Sequence, residues 1–273
     1  MRNVLLPMLA TAGLLTVLTV PSHAANLVQN GSFESNGGTG QIANITTLSN
    51  WTVGSTTDGA PYPFTFVLDG NADSTGFQSP FGTIRIWGPN TPSGTSSGPG
   101  SNPDPHPYGA VANGFTTSPD GGYFFGADAA YANAPISQTI GGLTPGNTYQ
   151  LSFSYAGAQF VDALGPNYEG WQVTFGGDSA STSTLNNSSM GFTGWQSFSQ
   201  TFTATSASQT LSFLATGGPS GLPPFALLDG VSLTDPTPPP PPPPSDTPEP
   251  GSMGLAIGGF LGVLGMARRL RTR

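Results

Sequence analysis

Between residues 25 and 235 apolar side chains recur at every second position, with no sustained helical period. Tyr149, Leu151, Phe153 and Tyr155 fall on one side of an extended segment. Phe198, Phe202 and Ala204 do so in another, with Gln200 intervening. Leu211, Phe213 and Ala215 mark a third, and Leu227, Asp229, Val231 and Leu233 a fourth. A period of two puts alternate residues on one face of a strand. The runs are bounded by Gly, Pro, Asn and Ser, which reads as strands joined by turns. In Thr144-Pro145-Gly146-Asn147, Pro presets one dihedral and Gly permits the next, so a turn should lead into a strand at 148–155. Many short strands without helices predict an all-β domain, an antiparallel β-sandwich or barrel. The irregular stretch 88–122 is too long for a hairpin and reads as a surface loop or an insertion.

The two ends follow a different pattern. Arg2 precedes an apolar run at 4–20 and the sequence Pro21-Ser22-His23-Ala24, the layout of a secretory signal cut after Ala24. The tail is apolar again over 251–267, seventeen residues, the lower limit for a helix that spans a bilayer. Arg268, Arg269, Arg271 and Arg273 follow and should stay on the cytoplasmic side as a membrane stop. Residues 236–244 are proline except Thr237 and predict a stiff spacer of about 3.1 Å per residue. The expected organisation is a signal peptide at 1–24, a β-sandwich at 25–235, a Pro-rich linker at 236–247 and a sorting segment at 248–273. The sandwich would thus be flanked by an N-terminal signal helix and a C-terminal transmembrane helix.

Pro248-Glu249-Pro250, a Gly-rich apolar segment and a terminal arginine cluster together resemble the PEP-CTERM sorting signal. Thr247 and Gly251 stand where that family often has Val and Ser. The resemblance implies recognition by an exosortase-type membrane protease or transpeptidase, after signal peptidase has acted. It implies a transient intermediate in the inner membrane of a Gram-negative bacterium, and a final place on the cell surface or in the extracellular matrix. Gly254, Gly258 and Gly262 could also form a helix-dimer face.

Charge narrows the function further. The chain has no lysine, and between residues 25 and 247 Arg85 is the one base against 13 acids. Nucleic acid binding needs Lys and Arg to neutralise phosphates, so it is excluded. There is no cysteine, which removes disulfides, zinc thiolates and thiol nucleophiles. His106, among prolines in 102–107, is the one histidine outside the signal and poorly placed to act as a base. The 17 Phe, 7 Tyr and 4 Trp argue for a packed core despite 39 Gly and 28 Pro.

Residues 26–34, Asn-Leu-Val-Gln-Asn-Gly-Ser-Phe-Glu, followed by Trp51, resemble the opening of galactose-binding-like jelly rolls, which include several carbohydrate-binding modules. Leu143-Thr144-Pro145-Gly146 is similar to their mid-domain turn, and 228–233 to their last strand. The resemblance implies a jelly roll. In many such domains the early Glu and a last-strand acid help bind a structural calcium ion, roles that map onto Glu34 and Asp229. Gly230 stands where a second acid is usual. No cofactor is required otherwise.

Sugar binding needs aromatic faces with polar groups beside them. Trp87 and Trp171 lie at strand ends and are the candidate stacking residues, with edge-of-core packing as the alternative; Trp51 and Trp195 read as core. The sequence therefore predicts a non-catalytic exported protein associated with extracellular polysaccharide. The alternatives are a passive structural or adhesive surface protein, and a secreted glycosidase using a carboxylate pair, Asp162 with Glu169 or Asp128 with Glu34.

Overall fold

The computed structural model describes residues 24–42, 46–70, 85–89, 110–161 and 163–236. The signal, the linker, Pro248, Glu249, Pro250, the 251–267 segment and the four terminal arginines lie outside the described residues, as does most of 88–122. Among the described residues no helix is long and apolar enough to cross a membrane.

The described chain is all-β and every strand pairing is antiparallel. One sheet runs in the order β1 (Gly40–Gln41), β3 (Thr65–Leu68), β4 (Phe124–Asp128), β12 (Pro224–Thr234), β6 (Thr148–Gln159), β10 (Gln196–Thr203). The other runs β2 (Thr52–Val53), β5 (Ile136–Gly141), β11 (Ser208–Gly218), β7 (Asn167–Phe175), β8 (Asp178–Ser181), with β9 (Leu185–Asn187) also on β7.

The alternation foreseen for β6 and β11 is present. Tyr149, Leu151, Phe153 and Tyr155 face Leu211, Phe213 and Ala215 in a core that also holds Trp171, Val173 and Phe175. The turn before β6 closes with Asn147 N–H donating to Thr144 C=O at 3.0 Å, and Gly146 sits at φ +89°. That left-handed position is one that glycine adopts without strain.

Two features depart from the sequence reading. The fourth run does not keep one face. Between Asp229 and Ser232 the register of β12 against β6 shifts by one residue. Leu228 and Val231 therefore point into the inter-sheet core, and Leu227 to the other side of its sheet. A bulge inserts one residue and reverses the phase downstream. Gly230, at φ +60°, supplies the conformation.

The second departure is another apolar layer. Phe66, Leu68, Phe124, Ala156, Ala158, Phe225 and Leu227 pack on the far face of the first sheet with Phe64, Ile86, Phe115 and Phe160 from loops. The β3 and β4 strands are buried on both faces, which is why Phe66-Val67-Leu68 and Phe124-Phe125 are apolar without alternation.

Candidate functional site

The strand registers bring one set of termini together. β4 ends at Asp128, β6 at Gln159 and β11 at Gly218, while β3, β7 and β12 begin there. Ala129 N–H donates to Pro224 C=O at 3.0 Å, and Phe64 N–H to Ala132 C=O at 2.9 Å. The two sheets close on each other at Gly217, where a Cβ would lie 2.9 Å from Ala129 Cβ and 3.1 Å from Pro224 Cβ.

This end carries Tyr62, Tyr131, Leu164 and Tyr168, the large hydrophobic side chains that are most exposed among the described residues, each 43–46% accessible. Tyr131 meets Phe64 edge-on, with ring centroids 5.6 Å apart. Tyr168 lies against Gly218, where a Cβ would come within 2.7 Å of its hydroxyl and 3.0 Å of its ring. Glycine there leaves room for the tyrosine ring against the backbone.

Two aspartates fix the loop that carries Tyr131. Asp128 Oδ1 accepts from Ala130 N–H at 2.8 Å and Tyr131 N–H at 3.2 Å. Asp58 accepts from Ala60 N–H at 3.1 Å and Ala132 N–H at 2.9 Å, and those backbone bonds hold its carboxyl below the usual carboxylate range. Burial pushes Asp128 up to about 7 despite its two bonds. Ala132 is held at φ +44°, a conformation that side-chain-bearing residues seldom adopt. The surrounding bonds over-determine it, a common arrangement at ligand clamps.

Just below this end, Glu169 points between the sheets, fully buried; Asn187 is the side chain beside its carboxyl that favours the charged form. Its carboxyl occupies the space a Cβ on Gly157 would need. Burial pushes it up to about 9.

Trp87 and Trp171 are corrected by the structure. They are 0% and 1% exposed, and each indole N–H is bonded internally: Trp87 to Ala163 C=O at 3.2 Å, Trp171 to Leu227 C=O at 2.9 Å. An indole without an accessible face cannot stack on a sugar. Neither ends a strand: Trp171 is the central residue of β7, Trp87 follows the isolated bridge Ile86↔Phe160, and both point inward. Tyr62, Tyr131 and Tyr168 were missed; of the three, only Tyr62, between Pro61 and Pro63, carries a local signal for an exposed loop ring with a wet hydroxyl.

Away from this end Glu34 and Asp229 do converge. Glu34 accepts from Tyr123 N–H at 2.7 Å and sits over Gly122, at φ +62°. Asp229 is fully buried; Oδ1 accepts from Gly230 N–H at 2.8 Å and Oδ2 has no partner. Burial first, then the charges of Asp120 and Glu34, push Asp229 up to about 7, while the Ser118 hydroxyl draws it down. Beside it a cleft of about 360 Å³ is lined by Asn26, Asn30, Ser32, Asp120 and Ser232 among others. Gly230 explains the absent second acid: a side chain there would be strained at φ +60° and would face the Asp120 carboxylate.

Of the carboxylate pairs, Asp162 lies outside the described residues, as does His106. Asp128 at the end of β4 accepts from the Ala130 and Tyr131 N–H groups, whereas Glu34 accepts from Tyr123 N–H before the start of β4, so the alternative pair of Asp128 with Glu34 is not brought together. Among the described residues no three His, Cys, Asp or Glu side chains group as a metal-ligand set.

A family model described as "Protein of unknown function (DUF642)" matches residues 118–228. No curated protein matches the chain. Among solved structures it is similar to TmCBM61 in complex with β-1,4-galactotriose, with TM-score 0.36 and 13% identity over 78% of this chain and 99% of that one. It is similar to the K1 cleaved adhesin domain of Lys-gingipain from Porphyromonas gingivalis, with TM-score 0.35 and 12% identity over 74% and 95%. The CBM22-1 xylan-binding domain from Paenibacillus barcinonensis Xyn10C gives 0.31 and 10% over 79% and 97%.

Proposed function

We propose that this chain is an exported, non-catalytic surface or matrix protein that binds extracellular polysaccharide through the sandwich end bearing Tyr62, Tyr131 and Tyr168. The observation that carries the reading is the gathering of those exposed rings at one end, Tyr131 on a loop held by Asp58 and Asp128 and Tyr168 at the start of β7. Ring faces cover the apolar faces of sugars, and phenol and carboxylate oxygens bond hydroxyls. An acidic body suits a neutral glycan. Delivery rests on the tail: Pro248-Glu249-Pro250 would be read by an exosortase-type enzyme while 251–267 pauses in the bilayer and the arginines stop transfer.

Protein collected from outside the cell tests both halves. Its C-terminal mass should show processing near Pro248; an intact Arg273 end removes the sorting proposal. On a glycan array, Tyr131→Ala and Tyr168→Ala should each weaken binding about fivefold, as expected for roughly 1 kcal/mol per lost ring contact, with unchanged melting. Binding that survives Tyr62→Ala/Tyr131→Ala/Tyr168→Ala intact would rule this end out.

The partnerless oxygen of buried Asp229 supports a second element, a structural calcium ion. Glu34 and Asp229 would hold it, with Ser118 nearby and backbone carbonyls completing six to eight oxygens. The ion would neutralise the acids here. Calcium added to chelated protein should raise the melting temperature, and Asp229→Asn should abolish that rise; equal melting with and without calcium removes the ion.

A further inference from the structure

Sheet edges are where a β protein meets other chains, because half of the backbone groups of an edge strand point outward. Three of the four edges here are short. β1 and β2 have two residues each and β8 has four. The fourth, β10, has eight, all paired with β6 in unbroken register from Gln196↔Tyr155 to Thr203↔Thr148. Among the described residues no strand covers its outer side. Natural edges are blunted by charge, proline or a bulge. β10 has none of these.

Its sequence is nearly symmetric about Gln200: Ser197-Phe198-Ser199-Gln200-Thr201-Phe202-Thr203 reads hydroxyl, Phe, hydroxyl, Gln, hydroxyl, Phe, hydroxyl in either direction. We propose that β10 is a self-association edge, at which two copies of this chain pair antiparallel about a two-fold axis through Gln200.

An isologous contact requires a self-complementary patch, and this register provides one. Phe198 of one copy faces Phe202 of the other, Ser199 faces Thr201, and Gln200 faces Gln200. Opposed residues share parity, so the core-side faces of the two sheets stay on the same side. Phe198 is only partly buried, stacked on Phe153 with centroids 4.7 Å apart, and the pairing would cover its exposed part.

Charge selects the occupant. The body carries 13 acids and one base, so two copies repel over most of their surface. From residue 179 to residue 228 there is no charged residue at all, and β10 lies inside that interval. The outer neighbours on β6, Gln150, Ser152 and Ser154, are neutral as well. A second copy can approach here without like-charge contact, and its sheet continues the first.

The cysteine-free chain makes the test direct. The full chain, exported with its own signals, should form a disulfide-linked dimer when it carries Gln200→Cys. Directly opposed positions across an antiparallel pair fall within disulfide reach. Ser197→Cys alone should not link, since it faces Thr203, whereas Ser197→Cys with Thr203→Cys should. In detergent, the unmodified full chain should have the mass of two chains. Gln200→Lys, which opposes two ammonium groups on an exposed side chain, should have the mass of one with the same melting temperature. Gln200→Cys that stays monomeric while melting normally overturns the proposal. So does Ser197→Cys linking as fully as Gln200→Cys, because that reports random collision.

Discussion

Trp171→Ala should destabilise the fold by about 3–5 kcal/mol, the range for deleting a buried aromatic. The indole stands in the middle of the inter-sheet core. It meets Phe125 at 5.9 Å and Phe213 at 6.5 Å between centroids, and Phe213 in turn touches Trp51 and Phe153. Its N–H donates to Leu227 C=O on the opposite sheet, a polar tie across the sandwich. Alanine removes the ring, opens a cavity between rigid strands and deletes the bond across the sandwich, which is worth about 0.5–1.5 kcal/mol on its own. Against a total stability of about 5–15 kcal/mol, much of the population at 37 °C would lose its fold. A denaturant melt measures this: the midpoint should drop steeply for Trp171→Ala and stay in place for Tyr168→Ala, three residues away but exposed. A Trp171→Ala protein that melts like the parent, yet loses glycan binding, would restore the tryptophan to the ligand and refute the buried geometry.

That contrast shows what the sequence could and could not tell. The turn at 144–147 was legible because Pro145 and Gly146 each have one conformational role, and β6 and β11 because alternation carries its own register. β12 misled because one inserted residue at Gly230 reverses every later side chain, and a Gly in an apolar run does not announce a bulge. Trp87 and Trp171 misled for a related reason. Both looked like strand ends next to the loops, but β7 starts four residues before Trp171 and Trp87 follows only an isolated bridge, and which way a side chain points depends on the partner sheet. The tyrosines went unnoticed because the segments bearing Tyr62, Tyr131 and Tyr168 are far apart in the chain and meet only after the sheets have paired. The second apolar layer was hidden because strands buried on both faces lose the alternation that identifies a strand. The convergence of Glu34 and Asp229 was inferred by resemblance, and their joint position over the bulge is physically intelligible only with Gly230 seen in place.

Glu169 leads to the other large effect, a stability that falls as pH rises. Its carboxyl lies between the sheets, and burial, only partly offset by the Asn187 side chain, raises it from 4.5 in an exposed chain to about 9. Between those values the folded protein keeps a proton that the unfolded chain has released, so unfolding becomes easier by about 1.4 kcal/mol for each pH unit. The contribution is complete below pH 4.5 and gone above about 9. Asp128 and Asp229, both raised to about 7, act in the same direction from pH 4 upward, and the slope is steepest below neutrality. Glu169→Gln keeps the shape and removes the proton. By pH 8 it should exceed the parent on the order of 4 kcal/mol relative to their difference at pH 4.5. Melting temperatures taken from pH 5 to 9 decide it: the parent should decline throughout, and Glu169→Gln should flatten above pH 7, where the two aspartates have already ionised. Parallel curves would mean that Glu169 is ionised in the folded state and has a partner, a bound cation or a water chain, that changes the account of this end of the sandwich.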